Sequence, residues 1–341
     1  MKLKQKPSDF IVTELTSIKP ESAGPYTYFI LKKTNYTTID ALSRIAQALH
    51  IQSKSITFAG SKDKAAVTTQ LCSVPRISKD RMEKLSLKDI EITFFGYGSK
   101  PISLGDLMGN QFRIVVRDLE KRDITPPTEV INYFDEQRFS ASNLQVGRAI
   151  IKKDFKTAAQ VIAQAQGDYN IAVKNYLEKN KTDYVGALRT IQKKILTMFV
   201  NSYQSWMFNE MAAAYMKENI NQSEIKSVPY SNGAFLFTKQ AIQNIKIPLM
   251  GFATVLNPEI KTIAQDLLKK ENITPRDFIV REIPDLSSEG DIRSLVIEVK
   301  DFTAAFEDDD LNVGKKKAIL EFSLPKGSYA TIVIKSISAE I

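Results

Sequence analysis

Apolar and polar residues alternate along much of the first third of the chain, as they do in strands that bury one face. The alternation predicts strands over 9–15, 27–32, 67–74, 91–97 and 111–117, with a short β-like run at 55–59. One stretch departs from it, because apolar residues recur there at helical spacing: Ile39, Leu42, Ile45, Ala46 and Leu49. Thr37 and Thr38 precede this stretch as candidate N-caps, so a helix is expected to begin there.

The spacing of apolar residues becomes helical in the middle of the chain and returns to alternation near its end. Helical spacing of apolar residues extends over 143–166 and 188–215, which predicts a helix-rich middle. Strands are predicted again over 293–300, 318–323 and 329–334. Residues 121–128 are polar and include two consecutive prolines, which is typical of a domain boundary. This order of elements suggests one domain inserted into another.

Length and composition indicate a globular protein with two domains. The chain has 341 residues, more than one hydrophobic core usually holds. No apolar run approaches the roughly 18 residues of a membrane span, and the polar start has no apolar core of a signal peptide. We therefore expect a cytoplasmic protein that does not bind a membrane.

The counts of cysteine and histidine narrow the possible chemistry. Cys72 is the single cysteine and His50 the single histidine, so an intramolecular disulfide is excluded and a zinc site of the usual kind nearly so. Ser-His and Cys-His hydrolase pairs are excluded unless His50 serves them. Catalysis must then use carboxylates, lysines, arginines, tyrosines or hydroxyls. The net charge of +8 favours a polyanionic partner.

The polar turn Gly60-Ser61-Lys62-Asp63-Lys64 is the most informative segment. It lies between two predicted strands and places one carboxylate between two lysines. Neighbouring cations hold a carboxylate ionised even when it is partly desolvated, which is what a nucleophilic aspartate requires. On the local pattern alone, an ordinary charged hairpin is the simpler interpretation.

A resemblance that spans nearly the whole chain changes that judgement. Phe58–Gln70 (FAGSKDKAAVTTQ) resembles the signature of the TruD family of tRNA pseudouridine synthases. Five further segments resemble landmarks of that family, and they occur in the expected order: Lys6–Glu14, Gly109–Phe112, Asn132–Phe139, Asn201–Asn209 and Leu324–Thr331. Two family glycines are replaced, by Asp135 and Ser140, which leaves the local geometry there in question.

The resemblance implies a set of site residues, with Asp63 as the catalytic nucleophile. Lys4 would keep Asp63 ionised, and a free surface lysine is the alternative interpretation. Phe10 and Tyr329 would line the pocket for the flipped uracil, and Tyr329 could also accept the C5 proton. Asn110 would hydrogen-bond the base or sugar. Phe112 would pack beneath the site, although both phenylalanines could simply be core aromatics.

The resemblance also implies the fold. We expect an α/β (α+β) protein with a pseudouridine-synthase core, a mixed and mainly antiparallel sheet flanked by helices. Residues 1–128 and 292–341 would form this catalytic domain, and 129–291 the inserted α/β TRUD domain. The two domains would give two lobes with a basic cleft between them.

The function implied is isomerisation of uridine to pseudouridine in tRNA, at uridine-13 of the D arm. The base must be flipped out of the RNA, and the carboxylate could add to C6 or attack C1′. No cofactor or metal is expected, and the protein is expected to be a monomer. A methyltransferase would need a Gly-rich loop after a strand, which the sequence lacks. A non-catalytic RNA-binding protein or tRNA chaperone on the same fold stays open.

Overall fold

The computed structural model describes residues 1–120, 124–139, 142–165 and 168–339, and the chain divides into two compact units. The first unit comprises Met1–Thr128 and Glu298–Ala330, and the second Glu129–Ile297 and Thr331–Ile341. The predicted ranges differ from these in two places, since residues 292–297 and 331–341 group with the second unit.

The first part of the chain forms six strands and two helices. They are β1 (Phe10–Leu15), β2 (Tyr26–Thr34), α1 (Thr38–Ala48), β3 (Thr57–Phe58), β4 (Val67–Pro75), α2 (Lys79–Glu83), β5 (Ile90–Gly98) and β6 (Gly109–Leu119). Helix α1 begins where predicted, because the Thr37 hydroxyl accepts a hydrogen bond from the Asp40 main-chain N–H.

The second unit is built mainly from helices, as the helical spacing predicts. Its elements are β7 (Glu129–Ile131), α3 (Asn143–Ile151), α4 (Phe155–Gln164), α5 (Asp168–Lys179), α6 (Tyr184–Arg189), α7 (Lys193–Asn219), β8 (Lys226–Tyr230), β9 (Gly233–Phe237), β10 (Lys246–Leu249), α8 (Pro258–Glu271), β11 (Asp291–Ser294) and β12 (Val296–Glu298), which ends where the first unit resumes. Residues 292–294 group with this unit because β11 pairs with β10.

Three elements complete the chain: β13 (Lys300–Asp308), β14 (Lys316–Pro325) and α9 (Ala330–Ser338). The strands of the first unit form an eight-stranded sheet in the order β13-β14-β6-β1-β4-β2-β5, with β3 beside β4. β1 and β4 are parallel, and the neighbouring pairs are antiparallel. The predicted mixed, mainly antiparallel sheet is therefore confirmed.

The parallel pairing of β1 and β4 determines where the charged turn lies. Ile11 of β1 is opposite Val67 of β4, near the start of both strands. Parallel strands begin at the same edge of a sheet. The turn that precedes β4 is therefore brought beside the segment that precedes β1. That segment carries Lys4.

One face of the sheet is covered by α1 and α2. Its core contains buried residues of β2, β4 and both helices: Phe29, Leu31, Leu42, Ile45, Cys72, Val74 and Met82. Cys72 is fully buried there, where it packs as a small apolar side chain. The polar residues of the candidate site lie on the same face, as the strand register below describes.

The predicted strand over 329–334 is wrong, because the chain forms α9 there. The β-branched run Thr331–Ile334 favours a strand by propensity. Tertiary packing overrides this propensity, since the helix is enclosed on most of its sides and six of its residues are buried: Ala330, Ile332, Val333, Ile334, Ser336 and Ile337. Gly327, at φ +80°, allows the turn between β14 and α9.

Contacts of α9 explain why residues 331–339 group with the second unit. The Lys335 ammonium donates a hydrogen bond to the Asp135 carboxylate and forms an ion pair with Glu136. Asp135 replaces a family glycine, yet its φ of −79° is ordinary, so no glycine is required there. Ser140, the other replacement, lies outside the described residues.

The strand β13 was not predicted over most of its length. Its side chains alternate between exposed and half-buried, and none of its residues is buried. A strand at the edge of a sheet with no buried face gives little apolar alternation. Only its pairing with β14 defines it.

Candidate active site

The main chain of the charged turn is held by side chains of α1 and β4. The Gln70 amide donates to the Gly60 carbonyl at 3.0 Å. The Thr38 hydroxyl donates to Gln70 Oε1 at 2.9 Å and accepts from the Lys62 N–H at 2.9 Å. Since Thr38 and Gln70 are both buried, these bonds fix the path of the turn before Asp63.

Lys62, one of the two lysines beside Asp63, points inward. Its Nζ lies 2.6 Å from Glu14 Oε2, and the two side chains are 6% and 1% exposed. The other carboxylate oxygen of Glu14 accepts from the Leu71 N–H. A buried ion pair of this kind requires both partners, because either charge alone would be costly. The pair ties the turn to β1.

The carboxylate of Asp63 is paired with Lys4. Lys4 Nζ lies 2.8 Å from Asp63 Oδ2, and the side chains are 21% and 44% exposed. Lys4 adopts a left-handed backbone conformation, with φ +54°. Its ammonium also lies 4.1 Å from the centroid of the Phe10 ring, a favourable cation–π distance. The structure thus brings Lys4 to Asp63, as the resemblance implied.

Lys33 is a member of this cluster that the sequence did not indicate. It is fully buried, and its Nζ donates to the main-chain carbonyl of Asp63 at 2.9 Å. It also donates to the Tyr36 carbonyl at 2.6 Å. The one available signal was its position in β2, where it continues the inward alternation of Phe29 and Leu31.

The strand register aligns several site residues across one face of the sheet. Residues directly opposite each other project to the same face. One row runs across β2, β4, β1, β6 and β14: Lys33, Thr68, Val12, Phe112 and Phe322. A second row contains Glu14, Asn110 and Leu324. The face beside the turn is therefore partly aromatic and partly polar.

Phe10 and Phe112 are packed together on this face. Their ring centroids are 6.3 Å apart in an edge-to-face arrangement, and Phe112 lies 5.6 Å from Phe322. Phe10 is 4% exposed and Phe112 is 6% exposed. Both rings thus belong to the packed surface under the site, and Lys4 lies against Phe10.

Asn110 and Tyr329 lie on segments that meet β14. Asn110 Oδ1 is buried and has no hydrogen-bond partner among the residues that the structure describes. A buried acceptor without a partner is costly in a folded protein. Gly109 permits the close approach of β6 and β14, since a Cβ there would collide with the Leu324 carbonyl oxygen. Tyr329 is half-buried and directly precedes α9.

Two negative findings apply to the described part of the chain alone. Within it, no group of three or more histidine, cysteine, aspartate or glutamate side chains could hold a metal ion. Over the same residues, no helix has the length and apolar character needed to cross a membrane.

Comparison with known proteins identifies the family. The family model described as tRNA pseudouridine synthase D (TruD) matches residues 1–171 and 164–337. A Methanosarcina acetivorans protein named "Probable tRNA pseudouridine synthase D" is 31% identical over 98% of this chain and 91% of its own length. A Nanoarchaeum equitans protein of the same name is 31% identical over 100% and 99%.

A solved structure is similar over the whole chain. The crystal structure of a Methanosarcina mazei protein described as "Putative tRNA pseudouridine synthase D (TruD)" has a TM-score of 0.74 and 28% sequence identity. It covers 100% of this chain and 93% of its own. The fold and these comparisons thus define a pseudouridine synthase. The chain belongs to the TruD family.

Proposed function

We propose that the protein converts uridine to pseudouridine in tRNA, at uridine-13 of the D arm, with Asp63 as the nucleophile. The observation that carries the proposal is the ion pair of Lys4 Nζ with Asp63 Oδ2, 2.8 Å apart. A nearby cation favours the ionised carboxylate, which is the nucleophilic form. The Asp63 side chain is 44% exposed, so a base turned out of the RNA can reach it.

The reaction needs a nucleophile but no net transfer of atoms. The N1–C1′ bond breaks, the uracil turns, and a C5–C1′ bond forms. The proton on C5 leaves, and N1 gains a proton. An oxygen of Asp63 either adds to C6 of the uracil, in which case the O–C6 bond breaks after the C5–C1′ bond has formed, or attacks C1′, in which case C5 displaces it from C1′. Both routes begin from the ionised carboxylate and return it.

Four residues would hold the flipped base near Asp63. The unpartnered Oδ1 of Asn110 supports a role for this side chain in a hydrogen bond to the base or sugar. Tyr329 offers a ring for stacking and a hydroxyl that could accept the C5 proton. The low exposure of Phe10 and Phe112 supports a role beneath the base rather than around it.

The partner that we propose is tRNA, and the charge of the chain supports it. A net charge of +8 suits binding to phosphates. Names of the relatives also refer to tRNA. The monomeric state, the cytoplasmic location and the lack of a cofactor stay predictions.

Asp63→Asn keeps the size of the side chain and removes its negative charge. We expect no pseudouridine in unmodified tRNA transcripts, mapped by carbodiimide treatment and reverse transcription. Affinity for the transcripts should stay within about threefold, because the change affects chemistry more than binding. Glu83→Gln, on the exposed surface of α2, is the matched control and should react normally.

The same assay tests the position that is modified. Pseudouridine should map to uridine-13, and a transcript with cytidine there should stay unmodified. Pseudouridine at another position would contradict the D-arm assignment alone. Activity of Asp63→Asn, or a loss of affinity as large as its loss of rate, would contradict the role of Asp63.

A further inference from the structure

Lys33 lies in a position that is unusual for a lysine. Its side chain is fully buried on the sheet face that carries the candidate site. It is opposite Thr68 of β4 and Ile90 of β5. Lysine is almost never fully buried unless its charge is compensated. The position therefore calls for a reason other than packing.

Two hydrogen bonds that Lys33 donates go to main-chain carbonyls of turns. One acceptor is Asp63, at 2.9 Å, and the other is Tyr36, at 2.6 Å. Tyr36 belongs to the turn between β2 and α1, in which Asn35 has φ +61°. The Asn35 N–H donates in addition to the Ala66 carbonyl. Lys33 thus links the turn before α1 to the turn that presents Asp63.

The buried charge of Lys33 lowers the stability of the folded protein. Burial lowers the pKa of Lys33 to about 8, although the Asp63 carboxylate favours the charged form, and Lys62 lowers the pKa further. Because this folded pKa is below that of a free lysine, the contribution of Lys33 to stability increases as the pH rises from about 8 to about 10.4. At neutral pH the buried charge therefore opposes folding.

A costly charge beside a reactive group is typical of a functional site. We infer that Lys33 is a positioning residue, which fixes the main chain at Asp63 and so directs its carboxylate towards the substrate. The inference depends on the proposed role of Asp63 as nucleophile. It assigns Lys33 no contact with the RNA. Charge-assisted hydrogen bonds are strong and directional enough for such a task.

Lys33→Met tests this role, because methionine keeps most of the volume but donates no hydrogen bond. We expect the single-turnover rate at saturating protein to fall by about tenfold or more, with affinity for tRNA within about threefold. The melting temperature at pH 7 should stay the same or rise, since an unfavourable buried charge is removed. A merely structural lysine would instead lower it.

Lys32→Met is the matched control. Lys32 is the neighbour on the opposite face of β2, and its side chain is 46% exposed and pairs with Glu91. This variant should keep the normal rate. An unchanged rate in Lys33→Met would overturn the inference, as would parallel losses of rate, affinity and melting temperature.

The dependence of the rate on pH gives a second readout. The charged groups that act on the Lys33 ammonium are the Asp63 carboxylate and the Lys62 ammonium, and the ammonium donates to the main-chain carbonyls of Asp63 and Tyr36. The single-turnover rate of the unchanged protein should fall as the pH rises through about 8, and Lys33→Met should lack this fall. The same fall in both proteins would overturn the inference.

Failure of this inference can be distinguished from failure of the proposed function. If Asp63→Asn is inactive and Lys33→Met reacts normally, only the role of Lys33 is wrong. If Asp63→Asn is active, the nucleophile itself is wrong.

Discussion

At the scale of single residues, Lys4 joins two features of the site. Its ammonium contacts the Asp63 carboxylate and the face of the Phe10 ring. The left-handed backbone at Lys4 is uncommon for a residue other than glycine and carries a cost. Such a conformation at a candidate active site supports a functional reason for it.

Lys4→Met should lower the rate of pseudouridine formation by about tenfold or more, because Asp63 would lose the ion pair that holds its carboxylate in place. Lys4→Arg keeps the charge and should retain more of the rate. Lys2→Met, two residues away with a side chain 49% exposed, is the control. Single-turnover rates on tRNA transcripts measure all three. Equal rates for Lys4→Met and Lys2→Met would contradict the role of Lys4.

At the scale of elements, the turn before β4 is held by partners on three other elements. Thr38 lies on α1, Gln70 on β4 and Glu14 on β1. Gly60 does not need to be glycine for its conformation, since its φ is not positive and a Cβ would make only ordinary contacts. The turn is thus fixed by its side-chain partners more than by its glycine.

Glu14→Gln should destabilise the protein by about 3 kcal/mol or more, because Lys62 would remain charged and buried without a partner. The double variant Glu14→Gln/Lys62→Met should be more stable than the sum of the single changes predicts. Urea unfolding of the four proteins measures the coupling. Additivity within about 0.5 kcal/mol would show that the two residues do not stabilise each other.

At the scale of the whole chain, a buried ion cluster joins three segments that are far apart in the sequence. Arg117 of β6 makes two hydrogen bonds to Asp9, at 2.9 and 2.8 Å, and one to Asp309, at 2.8 Å. All three side chains are at most 5% exposed. Lys2 pairs with the main chain of Arg117. The segment that carries Lys4 is therefore held on both sides by Arg117.

The cluster corrects the expectation from the sequence for residues 307–317. These residues form the end of the β13–β14 hairpin and carry charges of both signs, and such a pattern indicates a solvated tip, but Asp309 is buried. Burial alone would raise the pKa of Asp309. Hydrogen bonds outweigh the effect of burial and hold the pKa of Asp309 well below its usual range. They come from the main-chain N–H groups of Leu311 and Asp118 and from the side chains of Asn312 and Arg117.

Asp309→Asn should make the free energy of unfolding depend less on pH in the acidic range. Because the folded pKa of Asp309 is depressed, its contribution is present above the unfolded value of about 3.9 and is lost as the pH falls below it. The variant should be less stable than the unchanged protein at neutral pH, with a smaller difference at about pH 3. Urea unfolding at both pH values measures this. A difference that does not shrink in acid would contradict the prediction.

The sequence by itself determined the elements whose signals are local. Alternation predicted the strands of the first unit except β13, helical spacing predicted α1 and α7, and Thr37 indicated the start of α1. The motif around Asp63 indicated the family, because its residues are contiguous. These features depend on near neighbours in the chain, so a single sequence displays them.

The tertiary structure alone decided which distant residues meet. The pairing of Lys4 with Asp63 follows from the parallel register of β1 and β4, and the burial of Lys33 and Asp309 follows from partners far away in the sequence. The helix α9 formed against the propensity of its residues because of its packing. Whether a charge or a β-branched run is buried depends on the residues that surround it in the fold, and the local sequence pattern does not specify those residues.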